Sequence, residues 1–255
     1  MRDRPSRILI ADDVSDVRKL TRRAIEEYTT YPFLKNAHFY EAGTVLEAVE
    51  MARKYDPDVC VVDLDFGDGR GAEAGYSLVK SISSICDAAI IVFSVEDDDE
   101  GLPRALENGA DEFVEKKTLL DKRREVLAFR VDQSVQRNLE SRADRAGSEC
   151  QVFAYRIGNS IFRLGSRYLE TDDVRIRLTL AEYTLLKVFC ANNFASITEL
   201  ELYLELYGDA PKQGDKKLQN ALSRFRKKIG AYFDIRSIGS GIYAIDGHCQ
   251  KISSD

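Results

Sequence analysis

Apolar and polar residues follow two different periods in the first half of the chain. Short apolar runs rich in β-branched residues predict buried strands of a parallel sheet, and stretches of helical period lie between them. The predicted strands are Arg7–Ala11, Ala37–Tyr40, Val59–Val62, Ala88–Phe93 and Glu112–Val114. The predicted helices are Val14–Tyr28, Thr44–Tyr55, Tyr76–Ile85 and Leu102–Asn108. This alternation predicts an α/β fold with helices on both faces of the sheet.

Polar residues stand at the carboxyl ends of four of the predicted strands. Asp12 and Asp13 follow the first strand, Asp63 the third, Ser94 the fourth and Lys116 the fifth. The carboxyl ends of parallel strands share one edge of the sheet, where open α/β folds place their sites. We therefore expect these five side chains to converge. For the Asp63 stretch taken alone, an aspartate that caps the following loop is an equally good interpretation.

Three carboxylates gathered at this edge predict a cation site. The charges of Asp12, Asp13 and Asp63 repel one another, so each carboxyl group resists ionisation. Clustered oxygens with few protein ligands suit Mg²⁺, which also neutralises an incoming phosphoryl group. Lys116 and the Ser94 hydroxyl can bind phosphoryl oxygens. The set predicts a carboxylate nucleophile that accepts phosphate.

A stretch without glycine or proline connects the two halves of the chain, from Thr118 to Ala146. Its pattern predicts one helix, about 40 Å long if unbroken, whose first half packs on the sheet. The second half carries a thin apolar stripe that suits a partner helix. A semi-flexible charged linker is the alternative. Along the whole stretch, the apolar residues that lie on one side are Leu120, Leu127, Val131, Val135 and Leu139.

The second half of the chain has another order of elements. Short strands come first, at Ile161–Leu164, Tyr168–Glu170 and Val174–Leu178. Three helices follow, beginning at Thr179, Thr198 and Asp215, and the first has the capping-box pattern of threonine with glutamate three residues later. A hairpin closes this half, with strands Ile235–Ile238 and Ile242–Ile245 around a glycine turn.

The third of these helices is amphipathic. Its buried stripe is predicted at Leu218, Leu222, Phe225 and Ile229. Lysine and arginine on the other face suit phosphates, and glutamine and asparagine can bind adenine edges in a major groove. A merely solvated helix face would have a similar composition. The candidate DNA contacts are Lys216, Lys217, Gln219, Asn220, Ser223, Arg224, Arg226 and Lys227.

Charge divides the chain near the same boundary. Residues 1–149 contain 22 Lys and Arg against 31 Asp and Glu, a net charge of −9. Residues 150–255 contain 15 against 12, a net charge of +3, and the two sum to the total of −6. An acidic first half and a mildly basic second half predict two domains with different partners.

Composition excludes several classes of protein. The five cysteines are scattered, no C-x-x-C occurs, and the two histidines are far apart, so we expect neither a disulfide framework nor a zinc site. No run of about 18 apolar residues occurs, and no signal-peptide pattern precedes the first strand. We therefore expect a cytoplasmic protein that does not associate with a membrane.

The motifs of the first half resemble the receiver domain of two-component signalling, over residues 6–122. The resemblance is carried by Asp12-Asp13, Val61-Val62-Asp63, Ser94 and the segment Gly109–Lys116. It implies a flavodoxin-like, five-stranded parallel sheet, doubly wound, in which a histidine kinase phosphorylates Asp63. It further implies Mg²⁺ on Asp12, Asp13, Asp63 and the backbone carbonyl of Asp65, and switch roles for Ser94, Phe113 and Lys116. Two departures are Lys117, where proline is usual, and a long glycine-rich loop after Asp63.

Residues 150–246 resemble the winged-helix output domain of the OmpR/PhoB family. The segments that match are Leu178–Leu186, Ser223–Ile229 and Arg236–Tyr243. The resemblance implies binding to double-stranded promoter DNA, and it allows contact with RNA polymerase through the loop Tyr207–Gly214. Arginines usual in the wing are replaced by Gly239 and Ala244, which leaves a protein partner as the alternative output.

Together these observations predict a response regulator transcription factor that acts as a homodimer. The predicted domains are a receiver at 1–122, its last helix extended into a linker at 118–149, and an α+β winged-helix domain at 150–255. We assign no catalytic residues and expect at most autophosphatase activity. A rival interpretation is a haloacid-dehalogenase-like phosphatase, because Val62–Asp65 contains D-x-D; in that family, however, D-x-D stands on the first core strand.

Overall fold

The computed structural model describes residues 4–67, 71–95, 101–119, 124–147, 154–208, 210–211 and 216–252. The chain divides into two compact units, Met1–Glu140 and Ser141–Asp255, each with its own sheet and helices. Among the described residues, no helix combines the length and the apolar character that a membrane span requires.

The first unit is built on a five-stranded parallel sheet in the order β2-β1-β3-β4-β5. This is the flavodoxin-like order of a doubly wound fold, and the predicted fold class is confirmed. The central strands are buried on both faces, as their continuous apolar sequence requires. The strands are β1 (Arg7–Ala11), β2 (His38–Ala42), β3 (Val59–Val62), β4 (Ala89–Ser94) and β5 (Glu112–Glu115).

The helices of the first unit are α1 (Ser15–Glu26), α2 (Val45–Tyr55), α3 (Glu73–Ile85), α4 (Gly101–Glu107) and the larger part of α5 (Arg124–Gly147), which continues past the limit of the unit at Glu140. Helix α3 begins three residues earlier than its sequence pattern predicted. Gly75 lies inside its first turn against Leu64, where a Cβ atom would come within 2.2 Å of the Leu64 Cα. Gly75 therefore lies within α3 and not before it. Its lack of a side chain permits the first turn of the helix to pack closely against Leu64.

The connector differs from the single helix predicted over Thr118–Ala146. Residues Lys116–Leu119 form a 3₁₀ turn, and α5 starts at Arg124. The side chains of Leu127, Val131 and Val135 are fully buried within the chain, while Leu120 lies outside the described residues. Further along α5, the Asn138 amide donates to the Asp58 carbonyl over 2.8 Å. The stripe is therefore packed internally and does not offer these three residues to a partner helix.

The second unit has the α+β winged-helix architecture that the sequence predicted. Its helices are α6 (Leu180–Ala191), α7 (Glu199–Tyr207) and α8 (Lys217–Ile229). A three-stranded sheet in the order β10-β12-β11 carries the wing hairpin. Its strands are β10 (Ile197–Thr198), β11 (Asp234–Gly239) and β12 (Ile242–Asp246). The predicted capping box of Thr179 and Glu182 is confirmed at the start of α6.

A five-stranded antiparallel sheet in the order β13-β6-β7-β8-β9 completes the second unit. The sequence analysis did not identify β6 or β13, which pair with each other. Each spans only four residues, Ala-Tyr-Arg-Ile in β6 and Cys-Gln-Lys-Ile in β13, and neither shows the alternation or the continuous apolar run that indicates a strand. The strands are β6 (Ala154–Ile157), β7 (Ser160–Arg163), β8 (Tyr168–Glu170), β9 (Arg175–Arg177) and β13 (Cys249–Ile252).

Candidate functional site

The ends of β1 and β3 place two aspartates side by side. Ala11 pairs with Val62 in the parallel register, and the Asp63 amide donates to the Ala11 carbonyl over 2.8 Å. Asp12 and Asp63 are the next residues on the two strands, and their exposed fractions are only 3% and 5%. The structure therefore brings these two carboxylates together, as their positions at strand ends in the sequence predict.

Lys116, which follows β5, bridges the two aspartates. Its Nζ donates to Asp12 Oδ2 over 2.6 Å and to Asp63 Oδ2 over 2.5 Å. The other oxygen of each aspartate accepts a backbone N–H, from Val14 over 2.9 Å and from Leu64 over 2.8 Å. The orientation of both carboxylates is consequently fixed by the fold.

A third carboxylate completes the cluster. Asp12, Asp13 and Asp63 each offer one oxygen, and the three oxygens lie within 4.8 Å of one another. Three oxygen donors at this spacing fit a hard divalent cation such as Mg²⁺. The backbone of Gly67, with φ of +57°, passes so close that a Cβ atom there would lie 2.5 Å from Asp13 Oδ2. The Asp65 carboxylate accepts the Gly67 N–H over 3.0 Å, which shapes this part of the loop.

The cluster opens into a cavity of about 410 Å³. Asp13, Asp63, Asp65, Ser94 and Lys116 line it, with Val14, Val17 and Val95 among the apolar residues at its wall. Phe113 does not line the cavity: it pairs with Val92 across β4 and β5 and packs on the core of the first unit. The structure thus brings Ser94 to the acidic cluster and leaves Phe113 on the neighbouring packing surface.

Burial and charge have opposite effects on the titration of this cluster. Burial is the largest influence on Asp63 and, with the nearby Asp12 charge, raises the pKa to about 6, although the Lys116 cation opposes the shift. For Lys116, burial acts to lower the pKa, but hydrogen bonds and charge from Asp12 and Asp63 outweigh it and raise the pKa. Lys116 therefore stays protonated and holds a positive charge between the two strand ends.

The polar face of α8 in the second unit contains the other candidate residues. Lys216, Lys217, Gln219, Asn220, Ser223 and Lys227 are exposed. Arg226 is different: its Nε donates to the Ile235 carbonyl over 2.5 Å, and its guanidinium lies 5.6 Å from the centre of the Tyr243 ring. Burial of the Arg224 side chain lowers its pKa. The exposed cations and amides thus form one face, while Arg226 secures α8 to β11.

Glu199 is a residue that the sequence analysis missed. It is the first residue of α7, and its carboxylate accepts a hydrogen bond from the Gln219 amide on α8. The contact joins residues 20 positions apart, so no local sequence pattern indicates it. Only the packing of α7 against α8 brings the two together.

The loop Tyr207–Gly214 and the predicted helix start at Asp215 fall partly outside the described residues. Residue 209 and residues 212–215 are not described, and α8 begins at Lys217.

Known proteins resemble this chain along most of its length. Residues 8–128 match the response regulator receiver domain family. Over 203 residues, the chain is 30% identical to the virulence transcriptional regulatory protein PhoP of Salmonella typhi, covering 76% of this chain and 82% of the relative. The transcriptional regulatory protein PhoP of Escherichia coli strain K12 is 28% identical over 201 residues, with the same coverage. The solved structure of the Thermotoga maritima response regulator DrrB, described as an OmpR/PhoB homolog, is 19% identical, covers 96% of this chain and 100% of that one, and has a TM-score of 0.47.

A receiver sheet with an acidic cluster at its edge defines the class of response regulators, and in this chain a winged-helix unit follows it. The receiver match and the relatives show that this chain belongs to the OmpR/PhoB family of that class. Membership of this family favours the receiver interpretation of Asp63 over the phosphatase interpretation.

Proposed function

We propose that Asp63 accepts a phosphoryl group from a histidine kinase and that this modification controls binding of the second unit to promoter DNA. The observation that carries the proposal is the arrangement around Asp63. A buried carboxylate, a fixed lysine and two further carboxylates share one cavity, which is what a phosphoacceptor site requires.

In the proposed transfer, an oxygen of Asp63 forms a bond to phosphorus while the bond from phosphorus to the kinase imidazole nitrogen breaks. Asp12, Asp13, Asp63 and the Asp65 carbonyl would hold Mg²⁺, which neutralises phosphoryl charge when bound. Lys116 already lies 2.5 Å from Asp63 Oδ2, so it can pair with a phosphoryl oxygen placed there. The Ser94 hydroxyl would bind a second phosphoryl oxygen. Phe113 would act as the switch aromatic, because it lies on β5 two residues before Glu115, which pairs with Ser94.

For the output, we propose that the exposed face of α8 enters the major groove. Lys216, Lys217 and Lys227 would contact phosphates, and Gln219 and Asn220 would contact base edges. Arg226 contributes less than the sequence alone predicted, because its guanidinium already binds β11 and Tyr243. The wing adds little, since Gly239, Ser240 and Gly241 form its turn.

The remaining proposals concern assembly and partners. The proposed domain limits are 1–122, 118–149 and 150–255. We also propose that the protein contacts RNA polymerase and that it is located in the cytoplasm. We also propose that the protein forms a homodimer. Leu127, Val131 and Val135 are buried within the chain, so the dimer interface does not include them. Val126 and Phe129 are the large apolar residues of α5 that the structure leaves exposed.

Labelling with acetyl phosphate and Mg²⁺, followed by peptide mass spectrometry, tests the site. We expect one phosphoryl group on Asp63 in the native protein and none in Asp63→Asn. Glu50→Gln is the matched control, because it removes an exposed carboxylate of α2 that does not line the cavity and should leave labelling at Asp63 intact. Undiminished labelling of Asp63→Asn would overturn the assignment of the phosphoacceptor.

A further inference from the structure

Glu199 lies where α7, α8 and the wing turn meet. Its backbone N–H donates to the Gly241 carbonyl over 2.6 Å, which fixes the start of α7 on the wing. Its side chain passes over the same glycine, where a Cβ atom would be 3.3 Å from Glu199 Oε2. From this position the carboxylate accepts a hydrogen bond from the Gln219 amide.

The backbone around Glu199 is held firmly. Thr198 pairs with Ile242 between β10 and β12, and its hydroxyl caps α7 by accepting the Glu201 N–H over 3.2 Å. Glu201 in turn accepts the Thr198 N–H over 2.8 Å, which completes a capping box. A carboxylate on such a support can determine the orientation of the side chain that it contacts.

Gln219 is exposed on the face of α8 that we propose enters the major groove. A glutamine amide has two N–H donors and one carbonyl acceptor. When one donor binds Glu199, one donor and the acceptor remain, which is the pair that adenine requires at N7 and N6. Glu199 also prevents the opposite amide orientation, because a carboxylate does not donate a hydrogen bond to the Gln219 carbonyl.

We infer that Glu199 is a positioning residue for base recognition: it orients the Gln219 amide so that α8 selects adenine at one position of the operator. The inference rests on the proposed DNA-binding function. Glu199 has a second effect, because its negative charge near the DNA backbone opposes the phosphate contacts that supply sequence-independent binding. Its presence therefore increases discrimination between sequences and lowers affinity for all of them.

The test compares full-length variants on an operator selected from a randomised DNA library, with beryllofluoride and Mg²⁺ present throughout. The readout is the ratio of affinities for the selected operator and for the same operator with the adenine replaced. We expect Gln219→Ala to lower this ratio by about 5- to 150-fold. Glu199→Ala should lower it by about 5-fold, and the double variant should be no worse than Gln219→Ala alone.

Two further variants separate orientation from charge. Glu199→Gln retains a carbonyl that can accept from Gln219 but adds an amide that can donate to the Gln219 carbonyl, so it should lower the ratio less than Glu199→Ala does while binding all DNA more tightly. Glu205→Ala removes the same charge from an exposed position of the same helix and should leave the ratio unchanged. Thermal unfolding of each variant checks that the second unit remains folded.

An unchanged ratio in Glu199→Ala, or additive losses in the double variant, would overturn the inference alone. A changed preference at a different base pair would also overturn it, because Glu199 would then contact DNA itself. If the native protein shows no salt-sensitive, sequence-specific binding, the proposed DNA output fails and the inference fails with it.

Discussion

The environment of Asp63 connects its chemistry to protein stability. Burial raises the pKa from an ordinary value of 3.8 to about 6, so the folded protein binds this proton more tightly than the unfolded chain does. The stabilisation from this group is therefore complete below about pH 4 and is lost as the pH rises through about 6. Its size is at most about 3 kcal/mol, from the difference between the two pKa values.

We expect this loss to appear as a difference between two proteins. Without divalent cations, Asp63→Asn should become progressively more stable than the native protein between pH 4 and pH 7, because asparagine does not ionise. Urea unfolding over a pH series measures the difference. Adding Mg²⁺ at pH 7 should then stabilise the native protein more than the variant. A difference that is constant with pH would contradict the ionisation of a buried Asp63.

Gly67 makes a second residue-level prediction. Both Gly67 and Gly71 have left-handed backbone, with φ of +57° and +56°, so alanine at either position strains the loop similarly. A Cβ atom at Gly67 would meet Asp13 Oδ2, whereas nothing lies within 4 Å of one at Gly71. Gly67→Ala should therefore weaken Mg²⁺ binding, measured by calorimetry, more than Gly71→Ala does. Equal effects would show that strain in the loop, and not displacement of Asp13, controls the metal site.

The residues that could be predicted from the sequence are those whose position follows from a strand end. Asp12 and Asp63 each follow a buried apolar run and Lys116 follows the fifth strand, and a parallel sheet gathers such strand ends at one edge. The roles of Glu199 and Arg226 could not be predicted in this way. Each depends on a tertiary contact, with Gln219 or with the Ile235 carbonyl, that no periodic pattern contains.

At the scale of elements, α6 and α7 carry the same cap in different surroundings. Glu182 accepts the Thr179 N–H over 2.8 Å and the Lys228 ammonium over 2.6 Å, joining the start of α6 to the end of α8 in a nearly buried position. Glu201 completes the corresponding capping box at the start of α7 on the surface. Glu182 thus has both a cap and an ion pair, whereas Glu201 has a cap and forms no ion pair with the residues that the structure describes.

We expect Glu182→Ala to lower the free energy of unfolding by about 2 kcal/mol, from the lost cap and the lost partner of Lys228. Glu201→Ala should cost clearly less, because it removes an exposed cap without separating an ion pair. Urea unfolding of both variants gives the comparison. Equal costs would mean that the Glu182–Lys228 pair adds nothing to the stability of the second unit.

Helix α5 shows where pattern analysis of an element fails. The sequence identifies the apolar stripe and predicts that its first half packs on the sheet, but it assigns the second half, which includes the buried Val135, to a partner helix. In the structure, a buried hydrogen bond from Asn138 to Asp58 lies in line with the stripe and extends the packed surface beyond its apolar residues. A polar residue with an internal partner is indistinguishable in sequence from a solvated one, so the length of the packed face could not be predicted.

For the whole molecule, we propose that the acidic half receives a phosphoryl group and that the mildly basic half binds DNA. The net charges of −9 and +3 agree with that division. The excess of three positive charges is small, however, and Glu199 adds a negative charge at the face proposed to meet DNA. Binding should therefore be moderate and strongly dependent on salt.

A gel-shift salt titration on promoter fragments, with and without acetyl phosphate and Mg²⁺, tests whether phosphorylation of Asp63 controls DNA binding. We expect specific retention of DNA that strengthens on phosphorylation, and no strengthening in Asp63→Asn. Lys217→Ala should reduce the slope of log affinity against log salt by about one. Equal binding by the phosphorylated and unphosphorylated protein would contradict control through Asp63. Absence of any salt-sensitive, specific shift would contradict the DNA output and favour a winged helix that binds a protein partner.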